Sequence, residues 1–367
     1  MNLKSKFIIF ILIISMSSFI WGVGVGVYKW FPFFQLLEVK KLFIINKDKH
    51  LGKVTSIDTS YSTKHATSIE VKTVLLKREE LIKKIIPNIN SFNIIKEKVD
   101  ESSEKITTEI YNNKINAILT YAPKSKRCLR IYVQGHGGNP FSYSYHNKLL
   151  KFFTDEGCDF LSMSMTGLGL NEGNFIYPSR YGEMALDNDM AKEHKNYAFF
   201  YDKNNPNLDP LTLFIAPHYK IIKSLSSNYK DISIMGISGG GWYTVWLSAI
   251  IPNIKFSVSY SGSLPMEYRK FEGIGGDWKQ QNSQIYNYIS YWELYKLMTL
   301  NENGKINRHA FLVYNDEDDC CFYNPYPQHF KFELDKLNWK NLDVIIDESN
   351  KHTINVELMK KLYKSRK

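Results

Sequence analysis

Arginine is scarce in this chain: of its 47 basic residues only 7 are Arg and 40 are Lys. The net charge of +10 invites a nucleic-acid reading, but Arg is the side chain that reads bases and phosphates in bidentate fashion. The lysines sit in scattered pairs, as at Lys40-Lys41, Lys83-Lys84 and Lys360-Lys361. That is the pattern of a solvated surface, with attraction to an anionic bilayer as a secondary expectation. No nucleic-acid partner is expected.

Cysteine is also scarce. Cys128, Cys158, Cys320 and Cys321 show no C-x-x-C spacing, which argues against zinc and redox motifs. Cys128 and Cys158 lie in apolar runs and read as core residues, so no disulfide framework is expected. A G-x-x-x-x-G-K-[ST] phosphate loop is missing, and Gly167-Leu168-Gly169 lacks the third glycine of a dinucleotide fingerprint. No internal period of about 20–50 residues appears, which excludes solenoids and propellers. No cofactor and no metal are expected.

What is present begins with one long uncharged run. Phe7 to Val27 spans 21 residues, roughly 31 Å as a helix, enough to cross a hydrocarbon core. It is longer than the apolar region of a cleavable signal peptide, and no small-x-small site follows it. Residues 1–30 are therefore expected to be a single-pass N-terminal membrane anchor, with Trp30, Phe31, Phe33 and Phe34 at the interface. Lysines flank both ends, so the side of the membrane stays open.

Residues 31–100 read as a linker and helical extension, with helical spacing of apolar residues over Val74–Ile86. Residues 101–367 read as the catalytic domain. It opens with two strand-like runs separated by a turn at Asn112-Asn113-Lys114. From Cys128 the text alternates between strand-like runs (129–133, 159–165, 232–235, 256–261, 310–314 and 343–347) and mostly helical segments. Such alternation predicts an α/β fold, a mostly parallel sheet flanked by helices. Insertions around 170–215 and 264–305 are placed to shape a pocket at strand ends.

Gly236-Ile237-Ser238-Gly239-Gly240 joins a strand to an apolar helix. A strand that turns sharply into a helix holds its central residue in a strained conformation, and flanking glycines let the backbones pass. Ser238 is thus the candidate nucleophile. Its hydroxyl needs a base, and the base an orienting acid. His309 precedes a strand and His329 lies in a helical stretch. His352 follows the strand DVIID after a short loop, and is the candidate base. The acid is sought after AFLVY, in Asn315-Asp316-Glu317-Asp318-Asp319. Asp318 is the first choice, with Asp316 and Asp319 as alternatives. A calcium loop is disfavoured, because the glycine and distal Glu of an EF-hand are absent. The turn Gln134-Gly135-His136-Gly137-Gly138-Asn139-Pro140 can aim backbone N–H groups at an oxyanion. Gly239 supplies one such donor, and His136 or Gly137 the other.

QGHGGNP, GISGGG, the NDEDD loop and His352 together resemble the α/β-hydrolase superfamily over about 240 residues. The likeness is greatest to the esterase and dienelactone-hydrolase-like branches and to prolyl-oligopeptidase-like catalytic domains. Gln134 stands where those branches more often carry histidine. The resemblance implies an α/β-hydrolase fold and metal-independent hydrolysis of an acyl bond, usually an ester, through Ser238, Asp318 and His352. The expected substrate is a small-molecule, glycan or lipid acyl ester. A serine peptidase on the same residues and a non-catalytic, membrane-tethered binding protein are the alternatives.

Overall fold

The strand-like runs after residue 127 are rich in apolar and small side chains, as strands covered on both faces are. In the computed structural model they form the parallel part of one sheet. It describes residues 60–87, 92–173, 175–186, 196–269, 277–281, 283–349 and 351–365, with positions 18 and 21. In chain order the strands are β1 (Ile94–Lys98), β2 (Ser103–Ile110), β3 (Asn113–Thr120), β4 (Cys128–Gln134) and β5 (Asp159–Ser164). After the separate hairpin β6 (Phe175–Ser179) and β7 (Gly182–Leu186) come β8 (Asp231–Ile237), β9 (Ile254–Tyr260), β10 (His309–Asn315) and β11 (Leu342–Asp347).

Among the described residues nine strands share the main sheet, in the order β1-β2-β3-β5-β4-β8-β9-β10-β11. From β5 to β11 neighbours are parallel; β1, β2 and β3 are antiparallel additions. Every residue of β4 and β5 is buried. The β2–β3 turn falls on Tyr111 and Asn112, one residue earlier than the sequence suggests. Both take positive φ, 48° and 63°, the geometry of a two-residue type I′ hairpin.

Helices cover both faces. α1 (Val71–Ile85), α2 (Ser144–Asp155), α3 (Thr212–Ser226), α4 (Gly239–Ile250), α5 (Tyr291–Thr299), α6 (Tyr326–Leu337) and α7 (Val356–Ser365) are the longer ones that matter here. α4 is buried along its whole length, as a helix apolar on all sides must be. It packs on β4, β8 and β9, with α1, α3 and α5 around it. Side chains alternate along a strand. On the other face Tyr132, Phe160, Met235, Phe256 and Val258 meet Leu149 and Phe153 of α2 and Met359, Leu362 and Tyr363 of α7.

Two buried guanidinium groups close the far end of this layer. Arg78 of α1 donates to the carbonyls of Ala249 at 2.9 Å, Leu297 at 3.0 Å, Leu300 at 2.7 Å and Asn301 at 3.0 Å. Arg308 donates to Ser248 at 2.6 Å, to Leu297 and Leu300 at 2.9 Å each, and to Ile254. These carbonyls cluster at the C-terminal ends of α4 and α5, where helices leave acceptors unmatched and carry partial negative charge. Burial pushes the Arg78 guanidinium down to about 10.

The cysteines correct the sequence reading. Cys128 and Cys158 are buried, but they are bonded to each other, with Cα atoms 4.7 Å apart. Cys128 opens β4 and Cys158 immediately precedes β5, and these strands are parallel neighbours. The pairing depends on that adjacency, which spacing does not reveal. Cys320 and Cys321 are also joined. Among the described residues no helix is long and apolar enough to cross a membrane. The expected anchor over Phe7–Val27 falls almost wholly outside them.

Candidate active site

The site lies beyond the C-terminal ends of the parallel strands, where open α/β sheets place their ligands. β8 ends at Ile237, and Ser238 turns the chain into α4 with φ 56° and ψ −127°. A non-glycine residue in this region is strained and persists only where its surroundings hold it. Ser238 N–H donates to the Tyr260 carbonyl at 2.9 Å. Close backbone approach does the rest. A Cβ on Gly236 would sit 2.3 Å from the Gly240 carbonyl oxygen, and one on Gly240 would sit 2.0 Å from the Val133 carbonyl oxygen. The first turn of α4 leaves N–H groups, Gly239 among them, without partners inside the helix.

Asp318 lies in the loop after β10, and His352 in the loop after β11. The Nδ1 of His352 is 3.0 Å from one Asp318 oxygen and 2.9 Å from the other. Asp318 also accepts the N–H groups of Cys320 and Cys321, at 2.8 Å each, and the Ser261 hydroxyl at 2.7 Å. Burial by itself would raise the carboxyl. The bond and charge of His352, with the Cys321 and Ser261 donors, outweigh it and hold Asp318 below its ordinary value. An ionised carboxylate only accepts, so Nδ1 carries the imidazole proton and Nε2 presents its lone pair. The neighbouring acids are used otherwise. Asp319 accepts the His352 backbone N–H at 2.9 Å, and Asp316 bonds the Asn324 side chain.

Ser238, His352, His136 and Gly137 line one cavity of about 520 Å³. Asp318 stands behind His352. Gly239 lies beside the imidazole of His136, whose Cε1 would be 3.0 Å from a Cβ added there. The structure therefore brings together all six residues that the sequence singles out. His352 Nε2 makes no hydrogen bond among the described residues; such contacts are often long until substrate binds.

Sequence reasoning missed other parts of the cavity. His136 Nε2 lies 2.7 Å from an Asp277 oxygen that also pairs with the buried Lys279. Burial, with Lys279 nearby, keeps the His136 imidazole below its ordinary value against the opposing pull of Asp277. Tyr143 and Tyr145 stack on another side, with ring centres 5.2 Å apart. Ser261, Cys320 and Cys321 complete the surroundings of the acid and base. Asp277 lies far from His136 in sequence, and no local pattern links them.

The strand order, the parallel sheet and this strand-to-helix turn define the α/β-hydrolase fold. No family model matches the chain, and no curated protein matches it. Among solved structures it is similar to the acetyl xylan esterase from Paenibacillus sp. R4, at 14% identity over 81% of this chain and 93% of that one, with a TM-score of 0.49. It is similar to Est1E from Butyrivibrio proteoclasticus, at 15% identity over 71% of this chain and 96% of that one, with a TM-score of 0.46. It is also similar to the Pyrococcus horikoshii acylaminoacyl peptidase, at 15% identity over 78% of this chain and 43% of that one, with a TM-score of 0.47.

Proposed function

We propose that this chain is a serine hydrolase that cleaves an acyl ester through Ser238, His352 and Asp318. One observation carries the reading: a serine on a strained strand-to-helix turn shares a cavity with an imidazole whose far nitrogen is bonded to a buried carboxylate. Ser238 Oγ attacks the acyl carbonyl while Nε2 of His352 takes its proton, and Asp318 stabilises the resulting imidazolium. The negative oxygen is met by the Gly239 N–H and by that of His136 or Gly137. The imidazolium then protonates the departing alcohol. Water, deprotonated by the same imidazole, releases the acid from Ser238.

The cavity walls favour a polar ester of small size, such as an acylated sugar. Asp277, Gln280 and His136 offer hydrogen bonds, and Tyr143 and Tyr145 offer flat faces. The uncharged run Phe7–Val27 supports, from the sequence alone, a hydrolase tethered to a membrane. Two experiments test these readings. A fluorophosphonate probe is expected to label the full chain and spare Ser238→Ala; equal labelling of both would overturn the nucleophile. Recovery of the full chain in the membrane fraction after a carbonate wash is expected, and recovery in the supernatant would overturn the tether.

A further inference from the structure

Cys320, Cys321 and His352 make a second constellation in the same cavity. One ligand atom from each lies within 4.8 Å of the others. Cys320 is exposed, and Cys321 and His352 are half-buried. Asp318 organises all three, since it accepts both cysteine N–H groups on one oxygen and the imidazole Nδ1–H on the pair. Histidines that bind metals almost always donate their second ring N–H to a carboxylate or carbonyl, which fixes the tautomer and raises basicity. His352 already has that arrangement, and Nε2 is the nitrogen left to bind.

Two sulfurs and an imidazole nitrogen are a donor set suited to Zn²⁺ and similar soft cations. Ligand bonds of about 2.0–2.3 Å put tetrahedral neighbours roughly 3.5–3.8 Å apart. The imidazole nitrogen needs to close on the sulfurs by about 1 Å. The sulfurs, once the bond between them is opened, need to part to this spacing. Both movements are within reach of side-chain rotation.

We propose that Cys320 and Cys321, as thiols, form with His352 an inhibitory site for a soft divalent cation such as Zn²⁺. The inference rests on the hydrolase reading, because the cation acts by occupying Nε2 of His352. The two sulfurs are joined in this structure, so a reductant opens the site. A dithiol gives two electrons and two protons to the sulfur–sulfur bond. That bond breaks into two cysteine thiols, and the dithiol closes into its own disulfide. On binding, the cation displaces one proton from each thiol, and water completes the four ligands. In the joined form no thiolate exists and the imidazole stays available to Ser238.

The test uses the full chain reduced with a phosphine, which leaves as its oxide with oxygen from water, and then desalted. Zn²⁺ is titrated while binding is read by competition with a chromophoric chelator and ester hydrolysis is read in parallel. The reduced protein is expected to bind one Zn²⁺ and lose hydrolysis as it binds. The unreduced protein needs at least about tenfold more Zn²⁺ for the same loss, each difference of that size being about 1.4 kcal/mol. Cys320→Ser and Cys321→Ser, each compared with its own metal-free rate, weaken binding by about tenfold or more. His352→Ala weakens it similarly in the binding assay, which needs no turnover. Equal inhibition of reduced and unreduced protein, or binding by Cys320→Ser and Cys321→Ser as tight as that of the reduced wild type, overturns the site. So does full-strength binding by His352→Ala. Turnover with no Zn²⁺ bound sinks the metal site alone, whereas Zn²⁺ binding with no turnover sinks the hydrolase reading and with it the inhibitory role.

Discussion

Nδ1 of His352 is nearly equidistant from the two oxygens of Asp318, at 3.0 and 2.9 Å, so its single N–H is shared between both. Asp318→Asn replaces one acceptor with a group that can offer N–H, and the proton on Nδ1 loses its place. The expected result is a fall in kcat of about 10³–10⁴ with little change in KM. Steady-state kinetics on a p-nitrophenyl ester checks it. An unchanged kcat would move the acid role to Asp316 or Asp319.

The same carboxylate links stability to pH. Its folded value lies below the ordinary 3.8. Its contribution is therefore full above the unfolded value and is lost as pH falls through the folded one. The difference in melting temperature between wild type and Asp318→Asn is expected to hold above about pH 5 and to narrow at lower pH. A difference that stays constant down to about pH 2 would show that the Asp318 carboxyl is unperturbed.

Gly240→Ala tests the turn at Ser238. The new Cβ would lie 2.0 Å from the Val133 carbonyl oxygen, a backbone atom that cannot rotate away. Strand β4 and helix α4 would have to separate. The expected cost is about 3 kcal/mol, with loss of probe labelling at Ser238. Thermal unfolding measures the first effect. A wild-type melting temperature would mean that the approach relaxes without cost.

Arg308→Ala tests the far end of α4. It leaves the carbonyls of Ser248 and Ile254 without this donor and opens a cavity where the side chain lay. Relief from burying the charge offsets part of the loss. The net expectation is a destabilisation of about 3 kcal/mol, read by denaturant titration. Activity at low temperature should be retained, since Arg308 bonds the end of α4 opposite Ser238.

Much of this arrangement is legible in the sequence because the parallel strands are short runs rich in apolar side chains, set between helical segments. Ser238, Asp318 and His352 each stand shortly after such a run, at the end of the sheet where sites gather. β1 is a different case. Its Ile94–Lys98 text is mostly charged and mostly exposed, because an edge strand needs few apolar side chains, and nothing marks it as sheet. The Cys128–Cys158 bond and the contact between His136 and Asp277 are invisible for another reason. Both depend on which distant segments become neighbours, and local patterns carry no such information. The anchor over Phe7–Val27 is a reading of the sequence alone.

The bonds from Arg78 carry a practical consequence. A chain trimmed to start near residue 101 discards β1 and removes one of the two guanidinium groups seated against the ends of α4 and α5. The carbonyls of Ala249 and Asn301 lose the partner that Arg78 gives them. Such a fragment is expected to aggregate on expression. A shortened chain is better begun before Asp58, where the larger of the two units starts, so that the first hundred residues are cut within their length and not at their end.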